Sequence, residues 1–229
     1  MIPVAFPSFG PVNRSEFLGL LADRVVSLPD AHPMRVAIDG VDGAGKTTLA
    51  DALVPLVRSR GRPVVRVSID DFHHVRARRH ARGPESPDGY YRDNFDYEAF
   101  RERVLDPTSA SGSRLLQSAS HDLASDRGVD PEPVAVGERG IVLVDGIFLH
   151  RPELLDHWNF SVFLRAAFDV TVARAVARDG GDAAAVRARY DGRYVPGQRL
   201  YLREADPETH ADWVVDYDDP RAPAIFRAL

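Results

Sequence analysis

The 229-residue chain contains no cysteine and only one lysine. The absence of cysteine excludes a disulfide framework and thiolate metal ligands, and it is compatible with a reducing compartment. No apolar run approaches the roughly 18 residues that a membrane-spanning helix requires, and the first residues do not follow a signal-peptide pattern. A net charge of −5 leaves no overall basic surface for nucleic acid. We therefore expect a cytoplasmic protein without nucleic-acid or membrane partners, and a homo-oligomer stays open.

The single lysine, Lys46, lies in the stretch AIDGVDGAGKTT at 37–48, and every other basic residue among the 29 Lys and Arg is arginine. Lysine is a compact point charge on a flexible stem, so a position that keeps lysine in an arginine-rich chain is one where a guanidinium does not fit. The stretch matches G-x-x-x-x-G-K-[ST], whose backbone N–H groups surround phosphates while the hydroxyl binds Mg²⁺. We predict ATP and Mg²⁺ binding here, the alternative being a glycine-rich turn without ligand. The predicted ATP-binding residues are Gly40, Asp42, Gly43, Ala44, Gly45, Lys46, Thr47 and Thr48.

The surroundings of this loop are those that the motif requires. MRVAID at 34–39 is a short apolar run typical of a buried parallel strand. Apolar residues then recur at helical spacing from Leu49 to Val57, so a helix is predicted to begin at the loop and to direct its N-terminal N–H groups at the phosphates. Pro55 lies inside this pattern and is expected to kink the helix or to end it early.

Strands and helices alternate along the rest of the chain. Further strands are predicted at 62–70, 140–146, 159–164 and 212–217, and helices from Ser15 as cap to Leu28 and at 96–105, 168–179 and 182–191. This alternation predicts an α/β fold with three layers, a mainly parallel sheet covered by helices on both faces. We expect one domain over 1–229, irregular at 1–13, with a small polar insert at 106–139. The arginine-rich segment 179–203 is expected to form a lid that excludes water, or else a plain surface helix and loop.

Acidic residues follow several of the predicted strands, where ligands bind in open parallel sheets. Asp145 follows IVLV and is expected to act on Mg²⁺, with helix capping as the alternative. Asp70 and Asp71 end the second predicted strand. One of them is expected to orient and deprotonate an attacking hydroxyl, and the alternative is that the pair caps the next helix.

Histidine and arginine are dense between residues 73 and 82, in the sequence HHVRARRHAR. His73, His74 and His80 lie near two carboxylates, but a place in a polar substrate pocket or on the surface is favoured over a metal site. The run 76–82 is expected to be a solvated face, with attraction of an anionic substrate as the alternative.

Five segments, in chain order, resemble the uridine kinase family, which shares its fold with pantothenate kinases and phosphoribulokinases. They are GVDGAGKTT, SIDDF, NFDYEAF, LVDGIF and VARAVARD, and the resemblance covers roughly residues 34–217. It implies a P-loop NTPase fold and transfer of the γ-phosphoryl group of ATP to a small metabolite, with the 5′-hydroxyl of uridine, cytidine or a related riboside as the expected acceptor. It also implies a pattern of site residues. Asp70 is the base, Asp96 contacts the ribose, Arg174 and Arg178 act with Lys46 on the phosphates, and Thr47, Asp145 and Asp70 hold Mg²⁺.

The departures from the family pattern are concentrated in the acceptor pocket. His73 stands where the family often has tyrosine, and His121, in HDL, stands where an aromatic usually meets the base. Asp126 replaces a family histidine, and D-G-I at Asp145 replaces the more frequent E-G-I. His73 and His121 are therefore expected to bind substrate together with Asp70, Asp96 and Arg178, and they are candidate specificity residues.

Other nucleotide-binding classes are weighed against this resemblance. A GTPase is excluded because its N-K-x-D motif needs a second lysine. Thymidylate kinases share D-G-x-D-G-A-G-K-T-T, but SDRG at 125–128 is a misplaced version of their next motif. Pantothenate-type kinases and an ATP-hydrolysing regulatory protein without a small-molecule acceptor stay open.

Overall fold

The computed structural model describes residues 10–29 and 31–228. Most of the Pro-rich segment at 1–13 therefore lies outside the described residues. The central sheet contains β1 (Met34–Gly40), β2 (Val64–Ser68), β3 (Ile141–Gly146), β4 (Phe160–Arg165), β5 (Trp213–Asp216) and β6 (Ala224–Ala228). The α-helices are Arg14–Val26, Lys46–Ser59, Arg76–Arg79, Pro87–Arg92, Tyr97–Phe100, Phe168–Asp179, Ala183–Arg189, Val195–Ala205 and Pro207–His210. There are 3-10 turns at Ile69–Phe72 and Leu155–His157 and π-helical turns at Arg101–Leu105 and Tyr190–Tyr194.

The strand order, within the described residues, is β6-β5-β4-β1-β3-β2, and β1 to β5 run parallel. The register places Asp145 of β3 opposite Ile38 of β1 and Ser68 of β2. Because parallel strands end at the same edge, the loop after Gly40, the turn after Ser68 and Asp145 meet there. The α/β fold with a mainly parallel sheet, predicted from sequence, is confirmed.

Alternate residues of the strands face opposite hydrophobic clusters, as expected for a sheet buried on both sides. In β3, Ile141 and Leu143 face the cluster that contains the helices Arg14–Val26 and Lys46–Ser59. Val142 and Val144 face a second cluster, rich in aromatic side chains that include Phe100 and Phe148. The result is a three-layer arrangement whose open edge carries the strand ends.

The local structure differs from the expectations, or adds to them, at three places. The helix that follows the loop continues through Pro55 to Ser59, because Pro55 is exposed and the carbonyl left without a donor can turn to solvent. The first helix is capped by Asn13, whose side chain accepts from the Glu16 N–H at 3.0 Å, and not by Ser15. Beyond Asp219, where no element was predicted, β6 extends the sheet in the antiparallel direction.

The segments expected to be an insert and a lid have definite structures. Within 106–139, Leu115–Leu116 pairs with Val134–Ala135 and His121–Asp122 pairs with Arg127–Gly128, so the segment consists of short antiparallel ribbons. Residues 183–205 form a continuous helix with the π-helical turn in its middle. Closure of this helix over the site stays a prediction. In the part of the chain that is described, no helix combines the length and apolar character needed to cross a membrane.

Candidate active site

The loop between β1 and the helix Lys46–Ser59 is held in a shape that only glycine permits at two positions. Gly43 has φ +75°, and a Cβ there would lie 2.5 Å from the carbonyl oxygen of Thr171. Gly45 has φ +102° and caps the helix without a side chain. Such left-handed turns at a helix N-terminus expose consecutive N–H groups to one side, the arrangement that binds phosphates.

A cavity of about 420 Å³, which we call the loop cavity, opens over this turn. Its wall includes most of the predicted ATP-binding residues, namely Asp42, Gly43, Gly45, Lys46, Thr47 and Thr48. Gly40 and Ala44 are buried behind that wall. The Lys46 ammonium group donates to the carbonyl of Val41 at 2.9 Å, inside its own loop. It is therefore close enough to move from that carbonyl to a phosphate.

Thr47 and Asp145 meet at the edge of the loop cavity. The Thr47 hydroxyl donates to Oδ2 of the buried Asp145 at 2.7 Å. The other oxygen, Oδ1, accepts from Nη2 and Nε of Arg66 at 3.0 and 3.2 Å. A hydroxyl beside a carboxylate is a donor set that suits Mg²⁺, which keeps waters and phosphate oxygens as its remaining ligands. The residues therefore fit the ion, and Asp145 does not cap a helix.

Asp70 lies where the loop cavity meets a neighbouring cavity. No hydrogen bond to its carboxylate is seen among the described residues. Asp70 is exposed to solvent but lies in a cleft, where neighbouring protein displaces part of the water around its carboxylate; this desolvation raises its pKa to about 6, an effect that Lys46 opposes and that Asp42 and Asp145 reinforce. Such a pKa suits a group that accepts a proton near neutral pH.

The neighbouring cavity, of about 320 Å³, is called the tyrosine cavity because Tyr90, Tyr190 and Tyr194 line it. Its wall also carries Asp42, Asp70, His73, Arg79, Asn94, Phe95, Arg178, Asp179, Arg189 and Arg193. Asp42, Asp70 and Arg178 belong to both walls. The two cavities therefore share a boundary made of charged side chains, as expected for adjoining sites of a donor and an acceptor.

His73 forms part of the tyrosine cavity as a neutral ring. Burial lowers its pKa to about 4, against the raising effect of a hydrogen bond to the Asp70 backbone. Its Nδ1 lies 2.6 Å from the carbonyl oxygen of Asp70 and so carries the proton. Nε2, 3.2 Å from the amide nitrogen of Asn94, is then the acceptor. His73 thus orients Asn94 and holds the backbone of Asp70.

The two arginines predicted to meet phosphates have different surroundings, although both lie on the loop cavity wall. Arg174 donates to the carbonyl oxygens of Gly43 at 3.3 Å and of Asp218 at 2.5 Å, so it braces the loop. Arg178 contacts the Asp179 carboxylate at 2.8 Å and the Tyr190 hydroxyl at 3.3 Å, at the boundary of the two cavities. Of the pair, Arg178 has the place that suits contact with a transferring phosphoryl group.

Two residues expected to bind substrate are not on the tyrosine cavity wall. The Asp96 carboxylate accepts from the Ala99 N–H at 3.0 Å and lies 3.3 Å from Nδ1 of His74. The buried His121 has its Nε2 3.2 Å from the Asp126 carboxylate and lies with Asp70 and Asp71 on the wall of a further cavity beside the insert. Helix capping engages Asp96 and contacts within the insert engage His121, and substrate binding by either side chain stays a prediction. Asn94 and Phe95 line the wall instead.

The remaining sequence alternatives also have an outcome. Asp71 lines neither cavity, so Asp70 is the member of the pair that faces the site. In the basic run, Arg76 and Arg78 are exposed while Arg79 is buried on the tyrosine cavity wall. Among the described residues, no group of three His, Cys, Asp or Glu side chains is arranged to hold a metal.

Sequence reasoning missed a buried cluster beneath the loop, formed by Asp39, His150 and Tyr201. Oδ2 of Asp39 accepts from the Tyr201 hydroxyl, from Nδ1 of His150 at 2.7 Å and from the His150 backbone N–H at 3.1 Å. Oδ1 accepts from the Gly40 N–H at 2.7 Å. The cluster joins the start of the loop to the segment after β3 and to the helix Val195–Ala205. The sequence held one indication of this cluster, because Asp39 is an acidic residue near the end of a predicted strand.

Sequence reasoning also missed a link between the loop and two helices. Asp42 accepts from the Tyr90 hydroxyl at 2.6 Å and from the Gln198 side-chain amide at 2.9 Å. Tyr90 and Gln198 are separated by more than a hundred positions in the chain, and neither belongs to a recognised motif. Arg66, the partner of Asp145, lies inside a strand pattern and gave no signal either.

Comparison with known proteins agrees with this geometry. The model of the Phosphoribulokinase / Uridine kinase family matches residues 36–196. A search of curated proteins finds no match to the chain. A solved structure described as a possible uridine kinase from Bacillus stearothermophilus is similar over 87% of this chain and 97% of its own, with a TM-score of 0.70 and 23% identity.

A second solved structure widens the range of substrates among the neighbours. The D-glycerate 3-kinase from Cryptococcus neoformans var. grubii is similar over 88% of this chain and 96% of its own, with a TM-score of 0.62 and 14% identity. At such identities the similarity shows the fold alone, that of a P-loop kinase. The family match covers well over half of the residues, and it confirms the resemblance found in the sequence: the chain belongs to the phosphoribulokinase/uridine kinase family.

Proposed function

We propose that the chain transfers the γ-phosphoryl group of ATP to a hydroxyl of a small metabolite bound in the tyrosine cavity. The observation that carries the proposal is the position of Asp70, whose unengaged carboxylate lies on the walls of both cavities. A base at the boundary between a phosphate site and a second pocket is what in-line transfer to a hydroxyl requires.

The loop cavity supplies the phosphate site. The loop N–H groups and Lys46 bind the β- and γ-phosphates, while Thr47 and Asp145 hold Mg²⁺. When bound, the metal neutralises charge on the phosphate oxygens. Arg66 keeps one oxygen of Asp145 engaged, so the other remains directed at Thr47 and the cavity.

The acceptor hydroxyl is bound on the other side of Asp70. As its oxygen forms a bond to the γ-phosphorus, the bond from that phosphorus to the β–γ bridging oxygen of ATP breaks and ADP leaves. Asp70 takes the hydroxyl proton, and Arg178, at the boundary, stabilises the charge on the transferring group. The products are the phosphate ester and ADP.

The acceptor is a hydroxyl-bearing metabolite, and the riboside implied by the sequence resemblance is one member of the panel that tests it. His73 and Arg178 line the tyrosine cavity, in keeping with that acceptor. Asp96 and His121 do not, so the polar contacts expected for the ribose and the base are absent from this wall. The cavity supports the reaction type more strongly than it supports uridine.

The test is ADP formation from Mg²⁺-ATP in the presence of single acceptors: uridine, cytidine, other ribosides, dTMP, pantothenate, D-glycerate and ribulose 5-phosphate. We expect one class to stimulate ADP formation and to yield a phosphate ester. Asp70→Asn should abolish that stimulation and retain ATP binding, whereas Asp71→Asn, whose side chain lies outside both cavities, should retain turnover. Stimulation by no acceptor, with ATP bound normally, would contradict the proposal and favour an ATP-hydrolysing regulatory protein.

A further inference from the structure

Arg193 is a buried cation whose partner is missing. Its side chain is on the tyrosine cavity wall and the residue is only 8% exposed. In the part of the chain that the structure describes, no carboxylate is within ion-pair distance of it, and its Nε is buried without a hydrogen-bond partner. The nearest groups on its guanidinium are aromatic faces, with Cζ 5.7 Å from the centre of the Tyr90 ring and 5.4 Å from that of Tyr194.

The fold places Arg193 on this wall by a local irregularity. The π-helical turn Tyr190–Tyr194 inserts one residue into an otherwise α-helical segment, and Tyr190, Arg193 and Tyr194 all line the cavity. Turns of this type are found most often at functional sites, where the altered spacing redirects side chains. An uninterrupted α-helix has no extra residue at this point. We therefore interpret the π-helical turn as the feature that directs Arg193 towards the cavity.

A second buried arginine lies on the same wall. Arg79 is 9% exposed, and its Nε donates to the carbonyl of His74 at 2.7 Å. Its nearest carboxylate is that of Asp126, at 3.5 Å from Nη2. Burial lowers the pKa of Arg79 and Asp126 opposes this shift, while the nearby charges of Arg76 and Arg193 add to it.

Three acids line the cavity wall, Asp42, Asp70 and Asp179, and none of them is within ion-pair distance of Arg193. Asp179 is engaged by Arg178 at 2.8 Å and by Arg189 at 3.5 Å. Asp42 is engaged by Tyr90 and Gln198. A buried cation without a partner is unfavourable unless an anion joins it, so the arrangement is complete only when a ligand brings the negative charge.

ATP is not the source of this charge. Neither Arg79 nor Arg193 is on the loop cavity wall, which carries the cations Lys46, Arg174 and Arg178. The missing anion therefore belongs to whatever occupies the tyrosine cavity.

We propose that the acceptor carries an anionic group, a carboxylate or a phosphate, and that Arg193 binds this group together with Arg79 while the acceptor hydroxyl faces Asp70. This inference rests on the proposed function and narrows its substrate class to anionic hydroxy compounds. It disfavours neutral nucleosides as acceptors, because an uncharged acceptor has no group that could form an ion pair with the buried guanidinium. The fork of N–H donors on arginine fits a carboxylate or a phosphate equally well.

The first test compares acceptors in pairs that differ in charge: D-glycerate with glycerol, pantothenate with pantothenol, ribulose 5-phosphate with ribulose, and uridine 3′-monophosphate with uridine. We expect the anionic member to be preferred. Arg193→Gln should raise the KM for that member by about 10- to 100-fold, the range for a lost hydrogen bond to a charged group, and leave the KM for ATP within about twofold. The anionic acceptor that is preferred shows whether the site binds a carboxylate or a phosphate.

The matched control is Arg203→Gln, an exposed arginine on the same helical segment whose ion pair is with Glu204. It should leave both KM values unchanged. Arg193→Lys keeps the charge without the fork and should give an intermediate KM. Preference for the neutral member of each pair that is turned over, or an unchanged preference in Arg193→Gln, would overturn the inference and leave the kinase proposal standing.

A binding experiment that needs no turnover covers the case in which no acceptor is phosphorylated. With the loop occupied by Mg²⁺ and the non-hydrolysable analogue AMP-PNP, calorimetric titration with inorganic phosphate and with acetate should show binding that Arg193→Gln weakens by about 10-fold or more. If no acceptor is phosphorylated but this difference is seen, the proposed function fails and the anion site stands. Equal binding by the wild type and Arg193→Gln, or no binding of either anion, would overturn the inference in every case.

Discussion

The loop cavity and the tyrosine cavity adjoin each other but are built in different ways. The loop cavity is made mainly from one contiguous stretch at 40–48 and from strand ends that the sheet brings together. The tyrosine cavity is assembled mainly from the segment 70–95 and from the helical segment 178–194, with single residues such as Asp42 and Ile147 from elsewhere. One is a backbone surface with little freedom to vary, and the other is a set of side chains from separate parts of the chain. This difference explains why the reaction type is easier to predict from the sequence than the identity of the substrate.

The charges of the two cavities differ in the same way. In the loop cavity Lys46 and Arg174 donate to carbonyls of the loop, so their charges are stabilised by neighbouring dipoles before any ligand binds. In the tyrosine cavity Arg193 has no such partner among the described residues. The first cavity is complete in itself, and the second depends on its ligand.

The largest effect is expected from the loop cavity. Lys46→Ala removes the charge that reaches the terminal phosphates and should lower kcat on the order of 10³-fold, as loss of a cationic group does in phosphoryl transfer. Circular dichroism and the melting temperature should stay close to those of the wild type, because Lys46 is part-exposed and, among the described residues, its only side-chain hydrogen bond is to Val41. Lys46→Arg is the matched variant that keeps the charge. An active Lys46→Ala enzyme would contradict the role of the whole loop.

The second effect concerns the boundary between the cavities. Asp70 acts as a base when ionised, and desolvation in the cleft raises its pKa to about 6. Turnover should therefore rise with pH by roughly 10-fold per unit below that value and level off above it. Asp70→Asn should lower kcat by about 10²-fold or more and remove this dependence. Asp71→Asn should keep the same profile, and a profile that follows Asp71 instead would move the base to that residue.

The same shift predicts an effect on stability, with the opposite sign. Because the folded-state pKa of Asp70 is raised above its unfolded value, the folded state binds the proton more tightly, and this contribution is lost as pH rises from about 4 to 6. Asp70→Asn should accordingly raise the melting temperature at pH 8 relative to the wild type and have little effect at pH 4. Thermal melts at the two pH values provide the comparison.

The contrast between the cavities also shows which features could be predicted from the sequence. The order of strands and helices followed from apolar periodicity, and the phosphate loop followed from a motif whose spacing the backbone dictates. Asp145 and Asp70 were found because strand ends converge at one edge. These features depend on residues close together in the chain or on the regular geometry of a parallel sheet.

The surroundings of the residues on the acceptor side could not be predicted from motifs or periodicity. His121 was placed in the pocket by alignment, yet it pairs with Asp126 inside the insert. Asp96 was assigned to the ribose, yet it caps a helix. Arg193 gave no signal of its own, because its position follows from the π-helical turn, which no periodicity announces. The residues that line an acceptor pocket of this kind are therefore identified from the structure.

A smaller effect is expected beneath the loop, where the Tyr201 hydroxyl donates to buried Asp39. Tyr201→Phe removes one donor from a carboxylate that retains others, and it should lower the free energy of unfolding by about 1–2 kcal/mol. The matched control is Tyr97→Phe, because the Tyr97 hydroxyl is buried without a hydrogen-bond partner in the described structure. That variant should be neutral or slightly more stable. Denaturant titration measures both, and equal losses would mean that the hydrogen bond to Asp39 does not determine the effect.

The smallest effect is expected at the link between the two cavities. The Tyr90 hydroxyl donates to Asp42, a loop residue that lines both walls. Tyr90→Phe should cost about 1 kcal/mol of binding, or roughly fivefold in KM, with little change in kcat. If Asp42 transmits the position of the loop to the tyrosine cavity, the KM for ATP and the KM for the acceptor should both rise. Tyr91→Phe, at the neighbouring position but outside both walls, should change neither. A rise confined to the acceptor would mean that the two cavities bind independently, and the shared wall would then serve the transfer step alone.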